Sequence, residues 1–257
     1  MYIIDTHTHL YLEDFTEDIS QIIQRSRQAG VQKLYLPNID SSSINNMLAL
    51  EQQFPGICIA MMGLHPCSVN DNYRQELNII KEWLDQRPFA AVGEIGLDYY
   101  WDKTFIEQQK LAFQLQIEWA LALDIPIVIH SRDSLQDCID IVRQNQKGKL
   151  RGIFHCFGGT PEEARQIMDL NFLMGIGGVV TYKKSGLADV LQSIPLSSLV
   201  LETDAPYLTP VPFRGKRNEP AYLKYIIDTI AEAKNCTAEE IAEATTLNAQ
   251  KLFGSNN

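Results

Sequence analysis

The protein has 257 residues, of which 45% are hydrophobic and 21% charged, and these values exclude disordered, collagenous and coiled-coil chains. Its formal net charge of −10 opposes tight non-specific binding to a nucleic-acid backbone, because such affinity comes chiefly from Lys and Arg side chains that neutralise phosphates. The length fits one large domain or two small ones, and an α/β barrel of about 250 residues satisfies it as one unit.

Short β-rich runs alternate with longer amphipathic runs along the chain. We predict strands over residues 2–5, 33–37, 57–62, 89–94, 125–129, 152–154, 172–176 and 199–202. We predict the helices that follow them over residues 16–29, 42–53, 73–85, 105–122, 134–145, 161–170, 186–193 and 221–234. This alternation favours a parallel sheet, and eight units in about 250 residues favour a closed barrel over an open sheet.

A ninth helix is predicted over residues 238–252. It begins after Thr237, and Glu240 three residues later completes the pattern of a capping box. The predicted fold is therefore a (β/α)8 TIM barrel with an extra C-terminal helix on its outside, formed by a single domain over residues 1–257. The sequence contains neither a P-loop motif nor the glycine-rich dinucleotide-binding motif, so nucleotide-cofactor chemistry has no support.

The start of the chain and its cysteines indicate a compartment. The first residues do not resemble a secretory signal, and no run of about 18 apolar residues predicts a membrane span. The five cysteines are odd in number and never spaced as Cys-x-x-Cys, which argues against a disulfide framework. We expect a cytoplasmic protein without membrane association, and a monomer by default.

The five histidines follow predicted strand ends, where the catalytic rim of a barrel lies. They are His7, His9, His65, His130 and His155. His7 and His9 are two residues apart, so an extended chain points both imidazoles to the same face and lets them converge on one cation. The alternative is a pair of hydrogen-bonded structural histidines.

Two carboxylates, Glu94 and Asp204, close the predicted fourth and eighth strands. A carboxylate in such a position is costly unless it has a partner. With four of the histidines these carboxylates form a mixed set large enough for two divalent ions, and Glu94 is the candidate bridge between them. The alternative is buried ion pairing inside the barrel.

The motifs around these residues resemble those of the TatD family of metal-dependent deoxyribonucleases and related hydrolases, within the amidohydrolase-like barrels. The resemblance covers nearly the whole chain and rests on residues 5–9, 63–66, 93–99, 130–133, 155–157, 202–208 and 212–220. It implies one metal held by His7, His9, Glu94 and Asp204, and a second held by Glu94, His130 and His155.

The resemblance also implies catalytic roles for Asp204, Glu94 and His65. Asp204 would take a proton from the attacking water, and a carboxylate beside a cation stays ionised near neutral pH, as a general base requires. His65 would contact the substrate phosphate rather than a metal. The alternative for His65 is a histidine that stabilises the loop before Pro66.

Cationic side chains follow three of the predicted strands at the same end of the barrel. We predict that Arg132, Arg214 and Arg217 bind substrate together with His65, the alternative being ordinary solvated loop charges. An aromatic run, residues 99–101, is expected either to stack on a splayed base or to form part of the core edge.

The donor set thus predicts a hydrolase that uses two divalent cations, Mg²⁺, Mn²⁺ or Zn²⁺, and the resemblance implies that it cleaves phosphodiester bonds in DNA. Removal of nucleotides from the 3′ end of single strands is one mode of such cleavage. One alternative is an ester or amide hydrolase such as an aminoacyl-tRNA deacylase. Another is a non-catalytic metal-bound scaffold, which the intact water-activating set disfavours.

Overall fold

The computed structural model describes residues 1–254 and consists of alternating strands and helices. The strands are β1 (Ile3–Asp5), β2 (Val31–Leu36), β3 (Cys58–Ala60), β4 (Val92–Asp98), β5 (Ile127–Arg132), β6 (Gly152–Phe154), β7 (Leu173–Ile176) and β8 (Leu199–Leu201). The helices are α1 (Ile19–Gln28), α2 (Ile44–Gln53), α3 (Tyr73–Gln86), α4 (Ile106–Leu123), α5 (Leu135–Asn145), α6 (Pro161–Asp169), α7 (Leu187–Leu191), α8 (Leu223–Lys234) and α9 (Ala238–Phe253). The last three residues of the predicted domain, 255–257, lie outside the described part of the chain.

The strands form two parallel sheets, β1-β2-β3 and β4-β5-β6-β7-β8, whose edges are joined. A parallel bridge pairs Met62, just after β3, with Val92 at the start of β4. On the other side, the Thr6 N–H donates to the Leu201 carbonyl at 2.9 Å, which joins β1 to β8. These contacts close the eight strands into the predicted barrel.

Each strand or its flank contributes one side chain to a compact cluster that fills the lower barrel. The cluster contains Ile4, Tyr35, Met61, Ala91, Val128, Ile153 and Val200, with Leu173 partly buried beside them. The neighbouring residues in each strand instead pack outward, against the helices, in the larger core. Alternation of this kind is what a closed parallel barrel requires, because both of its faces are buried.

The C-terminal helix α9 covers the end of the barrel opposite the histidines. Its Phe253 ring stacks on Tyr35 with ring centroids 4.0 Å apart, and the Thr246 hydroxyl donates to the Tyr2 carbonyl just before β1. The predicted capping box is present, with Thr237 and Glu240 each bonding the other's backbone N–H. The helix therefore closes the barrel instead of lying on its outside, because Phe253 has an apolar interior to enter.

Strands β4 and β5 run further than predicted. They pair from Gly96 opposite His130 to Asp98 opposite Arg132. Glu94 and His130 consequently lie within strands, and the expectation that Glu94 closes its strand was wrong. The extra hydrogen bonds between β4 and β5 are the reason, since pairing continues as long as both chains stay extended.

The helices form a ring around the barrel and bury their apolar faces against it. Phe113 and Ile117 of α4, Ile139 of α5 and Ile226 of α8 are all fully buried there. Within residues 1–254, none of the helices combines the length and apolarity needed to cross a membrane.

Candidate active site

Two backbone arrangements direct the side chains of the candidate ligands into the barrel mouth. In β5, β6 and β8, an even number of residues separates the side chain that fills the barrel from the candidate ligand, as between Val128 and His130. Both side chains therefore lie on the inner face of the strand. In β1 and β4 the separation is odd, from Ile4 to His7 and from Ala91 to Glu94. His7 lies beyond the end of β1 at Asp5, so alternation along that strand does not set its direction. Strand β4 contains a register irregularity between Val92 and Ile95. Such a shift turns a side chain to the other face, here toward the barrel axis.

The first donor set joins the two ends of the chain. His7 Nε2 lies 3.2 Å from His9 Nε2 and 3.1 Å from Glu94 Oε2. Asp204 Oδ1 lies 3.7 Å from His7 Nε2 and 3.5 Å from His9 Nε2. Ligand atoms about 2.1 Å from a tetrahedral ion stand about 3.4 Å apart, so these four atoms match the edges of one coordination sphere.

The second donor set uses the other oxygen of Glu94. His130 Nδ1 lies 2.8 Å from Glu94 Oε1, and His155 Nε2 lies 3.8 Å from it. His65 also enters this set, because its Nε2 is 3.4 Å from Glu94 Oε1 and 3.3 Å from His130 Nδ1. Glu94 thus faces both sets, as expected of a bridging ligand, and His65 is as close to Glu94 as a ligand would be.

The electrostatics of the site suit cations. Glu94 is 2% exposed, and although burial raises its pKa, the surrounding histidines lower it well below the usual range. Burial lowers the pKa of His155, but Glu202 and Asp204 outweigh that effect and raise it to about 9. Ionised carboxylates and imidazoles packed this closely form a donor set that divalent ions such as Zn²⁺ or Mn²⁺ fit.

A layer of polar residues lies behind the candidate ligands and contacts their rings. Asp98 Oδ2 lies 2.8 Å from His130 Nε2, and Glu202 Oε1 lies 3.1 Å from His155 Nδ1. The Tyr11 hydroxyl lies 2.8 Å from His9 Nδ1. A carboxylate behind a ligating histidine fixes the ring and raises its basicity. Sequence reasoning assigned no role to these three, although Asp98 and Glu202 stand inside the recognised motifs and Tyr11 carried no signal.

The three residues of the predicted aromatic run, 99–101, differ in their surroundings at the barrel mouth. The Tyr99 hydroxyl donates to Asp137 at 2.8 Å on the helical side, whereas Tyr100 and Trp101 are 51% and 68% exposed. The Arg132 guanidinium lies 4.0 Å from the centre of the Tyr100 ring. Arg132 and two aromatic rings therefore form one edge of the mouth.

The loop after β8 forms another edge. The Arg214 guanidinium lies 4.1 Å from the centre of the Tyr182 ring. Arg217 is differently placed, since it pairs with Asp18 at 2.6 Å and also donates to the Asp14 carbonyl. Its charge is thus already balanced within the protein, and its role in substrate binding stays a prediction.

The sequence profile of the family described as "TatD related DNase" matches residues 4–254. The chain belongs to the TatD family. An uncharacterized metal-dependent hydrolase of Bacillus subtilis, YabD, is 40% identical over 99% of this chain and 100% of its own. A TatD protein of Erwinia tasmaniensis, named a 3′-5′ ssDNA/RNA exonuclease, is 30% identical over 97% of this chain and 98% of its own.

Solved structures agree with the TatD assignment. The crystal structure of YjjV, a TatD homologue from Escherichia coli, superposes with a TM-score of 0.92 and 31% identity, covering 98% of this chain and 97% of that one. A phosphotriesterase homology protein of Escherichia coli superposes with a TM-score of 0.74 at 13% identity, which shows the common barrel fold alone. The protein is thus a TatD-family metal-dependent hydrolase with the predicted fold.

Proposed function

We propose that this hydrolase cleaves phosphodiester bonds of single-stranded DNA, removing nucleotides from the 3′ end with the help of two divalent cations. The observation that supports this most strongly is the pair of donor sets that share Glu94 at the barrel mouth. His7, His9, Glu94 and Asp204 would hold one cation, and Glu94, His130 and His155 the other. The bound cations would act as Lewis acids on a phosphoryl oxygen and lower the pKa of water.

Asp204 is suited to accept the proton of the attacking water. Its side chain is 14% exposed, against 2% for Glu94, so it faces the mouth more openly. Burial raises the pKa of Asp204, but His155 and His9 lower it below its ordinary value. The carboxylate is therefore ionised near neutral pH, which a general base must be.

His65 is suited to donate a hydrogen bond to the substrate. Its Nδ1 accepts the backbone N–H of Cys67 at 3.0 Å, so a neutral ring carries its proton on Nε2. Burial and nearby histidines lower the pKa of His65, although Glu94 opposes them, and the ring is neutral at pH 7. A protonated Nε2 can donate to a phosphate oxygen but cannot bind a metal, which supports the predicted role over ligation.

Cleavage of end-labelled single-stranded DNA tests the proposal. Protein stripped of metal is assayed after separate addition of Mg²⁺, Mn²⁺ or Zn²⁺, beside the variants Asp204→Asn and Asp85→Asn. Asp85 is an exposed residue of α3 paired with Lys81, so its variant controls for the loss of one carboxylate. We expect metal-dependent shortening from the 3′ end that Asp204→Asn abolishes and Asp85→Asn preserves.

The opposite outcome is equally informative. Absence of cleavage with every ion, in protein shown to bind two ions per chain, would contradict the nuclease proposal. Ester and amide substrates, including aminoacyl-tRNA, would then be assayed next. The single-domain organisation, the monomeric state and the cytoplasmic location remain predictions, which gel filtration with light scattering and cell fractionation can check.

A further inference from the structure

Exposed aromatic residues are concentrated at the barrel mouth. Within residues 1–254 the exposed aromatic side chains are Tyr2, Tyr100, Trp101 and Tyr207. Tyr2 precedes β1 at the closed end of the barrel, whereas the other three follow β4 and β8 at the open end. Exposed rings around a catalytic mouth are suited to stacking on unpaired bases, because every base has a π-face.

Tyr207 lies directly beside the first donor set. Its ring is 53% exposed and its centroid is 6.4 Å from that of His9. Its backbone is fixed, since the Tyr207 N–H donates to the Asp204 carbonyl at 2.8 Å and Asn218 donates to the Tyr207 carbonyl at 2.7 Å. A rigid backbone carrying an exposed ring is a preorganised stacking surface.

A cleft of about 530 Å³ adjoins this ring, within the usual range of ligand sites of about 300–1,000 Å³. Tyr182, Tyr207, Arg214 and Lys216 contribute to its walls. Asp14 also lines it, as does Arg217, whose charge is paired with Asp18. The cleft thus combines aromatic faces with unpaired positive charge, although the protein as a whole carries a net charge of −10.

Two arginines at the mouth lack acidic partners. In the described part of the chain, no carboxylate oxygen lies within 4.0 Å of a side-chain nitrogen of Arg132 or Arg214. Each guanidinium instead lies over a tyrosine ring, Arg132 over Tyr100 and Arg214 over Tyr182. A guanidinium that is not paired with a carboxylate can use its N–H groups to bind a phosphate.

The two edges flank the two donor sets. Tyr207, on the edge formed by the loop after β8, lies beside His9 of the first set. Asp98 connects the other edge, which contains Arg132, to the second set. The Asp98 carboxylate lies 2.8 Å from His130 Nε2 and accepts the backbone N–H groups of Tyr100 and Trp101 at 2.9 and 3.1 Å. A strand crossing from one edge to the other would pass over both sets.

We infer that the mouth holds a single nucleic-acid strand on both sides of the scissile phosphate. One base stacks on Tyr207 in the cleft with a phosphate on Arg214, and bases on the other side stack on Trp101 and Tyr100 with a phosphate on Arg132. This inference rests on the proposed nuclease function and adds to it the residues that bind the flanking nucleotides. It explains how an acidic protein can bind DNA, because the positive charge is local.

Binding of a fluorescent phosphorothioate-linked oligothymidylate to the metal-loaded protein tests the inference, since such a strand resists cleavage. We expect Tyr207→Ala and Trp101→Ala each to raise Kd by at least about fivefold. Arg132→Ala and Arg214→Ala are each expected to reduce the slope of log Kd against log salt by about 0.7, the value for one lost phosphate contact.

Two exposed residues at the closed end provide matched controls. Tyr2→Ala removes an exposed ring, and Arg27→Ala removes an exposed guanidinium near the end of α1. Both should bind like the wild type. Tyr207→Phe keeps the ring, so it should retain wild-type binding even if Tyr207→Ala folds poorly.

An abasic scan of the strand then locates the stacked base. Removing one particular base should eliminate the effect of Tyr207→Ala, because the ring has then lost its partner. Wild-type binding and salt slope in all four mouth variants, with wild-type cleavage of DNA intact, would overturn this inference and leave the proposed function standing. A wild-type protein that neither binds nor cleaves DNA would overturn both.

Discussion

Replacing Glu202 by Gln tests how the second donor set is held. Glu202 is fully buried, and its Oε1 lies 3.1 Å from His155 Nδ1 while accepting the Cys156 N–H at 2.6 Å. The variant keeps the size of the side chain and an oxygen for the Cys156 N–H. It removes the negative charge behind the imidazole.

The expected cost follows from this one contact. The contact between Glu202 and His155 is an ion pair without hydrogen-bond geometry, so the substitution removes the electrostatic interaction that orients the imidazole. Loss of an outer partner of a metal ligand typically lowers metal affinity about 10- to 100-fold. We therefore expect Glu202→Gln to weaken one of the two metal sites by about 10- to 100-fold and to leave the other nearly unchanged.

Competition between the metal-stripped protein and a chromophoric chelator, with Zn²⁺ as the probe ion, measures both sites. Glu51→Gln is the matched control, because Glu51 also bonds a backbone N–H, that of Ala60, and pairs with Arg87 away from the donor sets. Wild-type metal affinity at both sites of Glu202→Gln would refute the positioning role. Equal losses of metal affinity at both sites in Glu202→Gln and Glu51→Gln would refute it as well.

Three further changes have expected outcomes. Because the pKa of His155 is raised to about 9, metal affinity should fall as the pH is lowered below 9. In the metal-free protein, the stability that His155 gives the fold is complete below pH 6.5 and should be lost as the pH rises through 9. Gly175→Ala should weaken metal binding, since the added Cβ would lie 2.1 Å from Glu202 Oε2. Phe253→Ala should destabilise the fold by about 3–5 kcal/mol, because the buried ring stacks on Tyr35.

Each change has its own measurement and control. Calorimetric titration with Zn²⁺ and thermal melts between pH 6 and 10 check the effect of pH, and pH-independent affinity would contradict it. The control for Gly175→Ala is Gly158→Ala, whose added Cβ would meet nothing closer than 4.0 Å. Equal metal affinities in these two variants would refute the steric argument. Leu247→Ala on the exposed side of α9 controls for Phe253, and urea unfolding compares the two.

The sequence by itself determined the order of the elements and the identity of the proposed ligands. Hydrophobic runs broken by Gly, Pro and capping residues set the alternation of strands and helices, as the capping box before α9 shows. The proposed ligands could be found because each follows or ends a predicted strand, and the parallel strands of a barrel bring those positions to one mouth. Local chemistry and spacing were sufficient for both conclusions.

Only the tertiary structure decided which faces and partners these residues use. The register irregularity that turns Glu94 inward depends on the pairing of β4 with β5, and strict alternation would have pointed Glu94 outward. Arg217 pairs with Asp18, a partner 199 residues away, and Phe253 enters a barrel built from the whole chain. Contacts between distant segments form only when the core packs, so no local pattern encodes them.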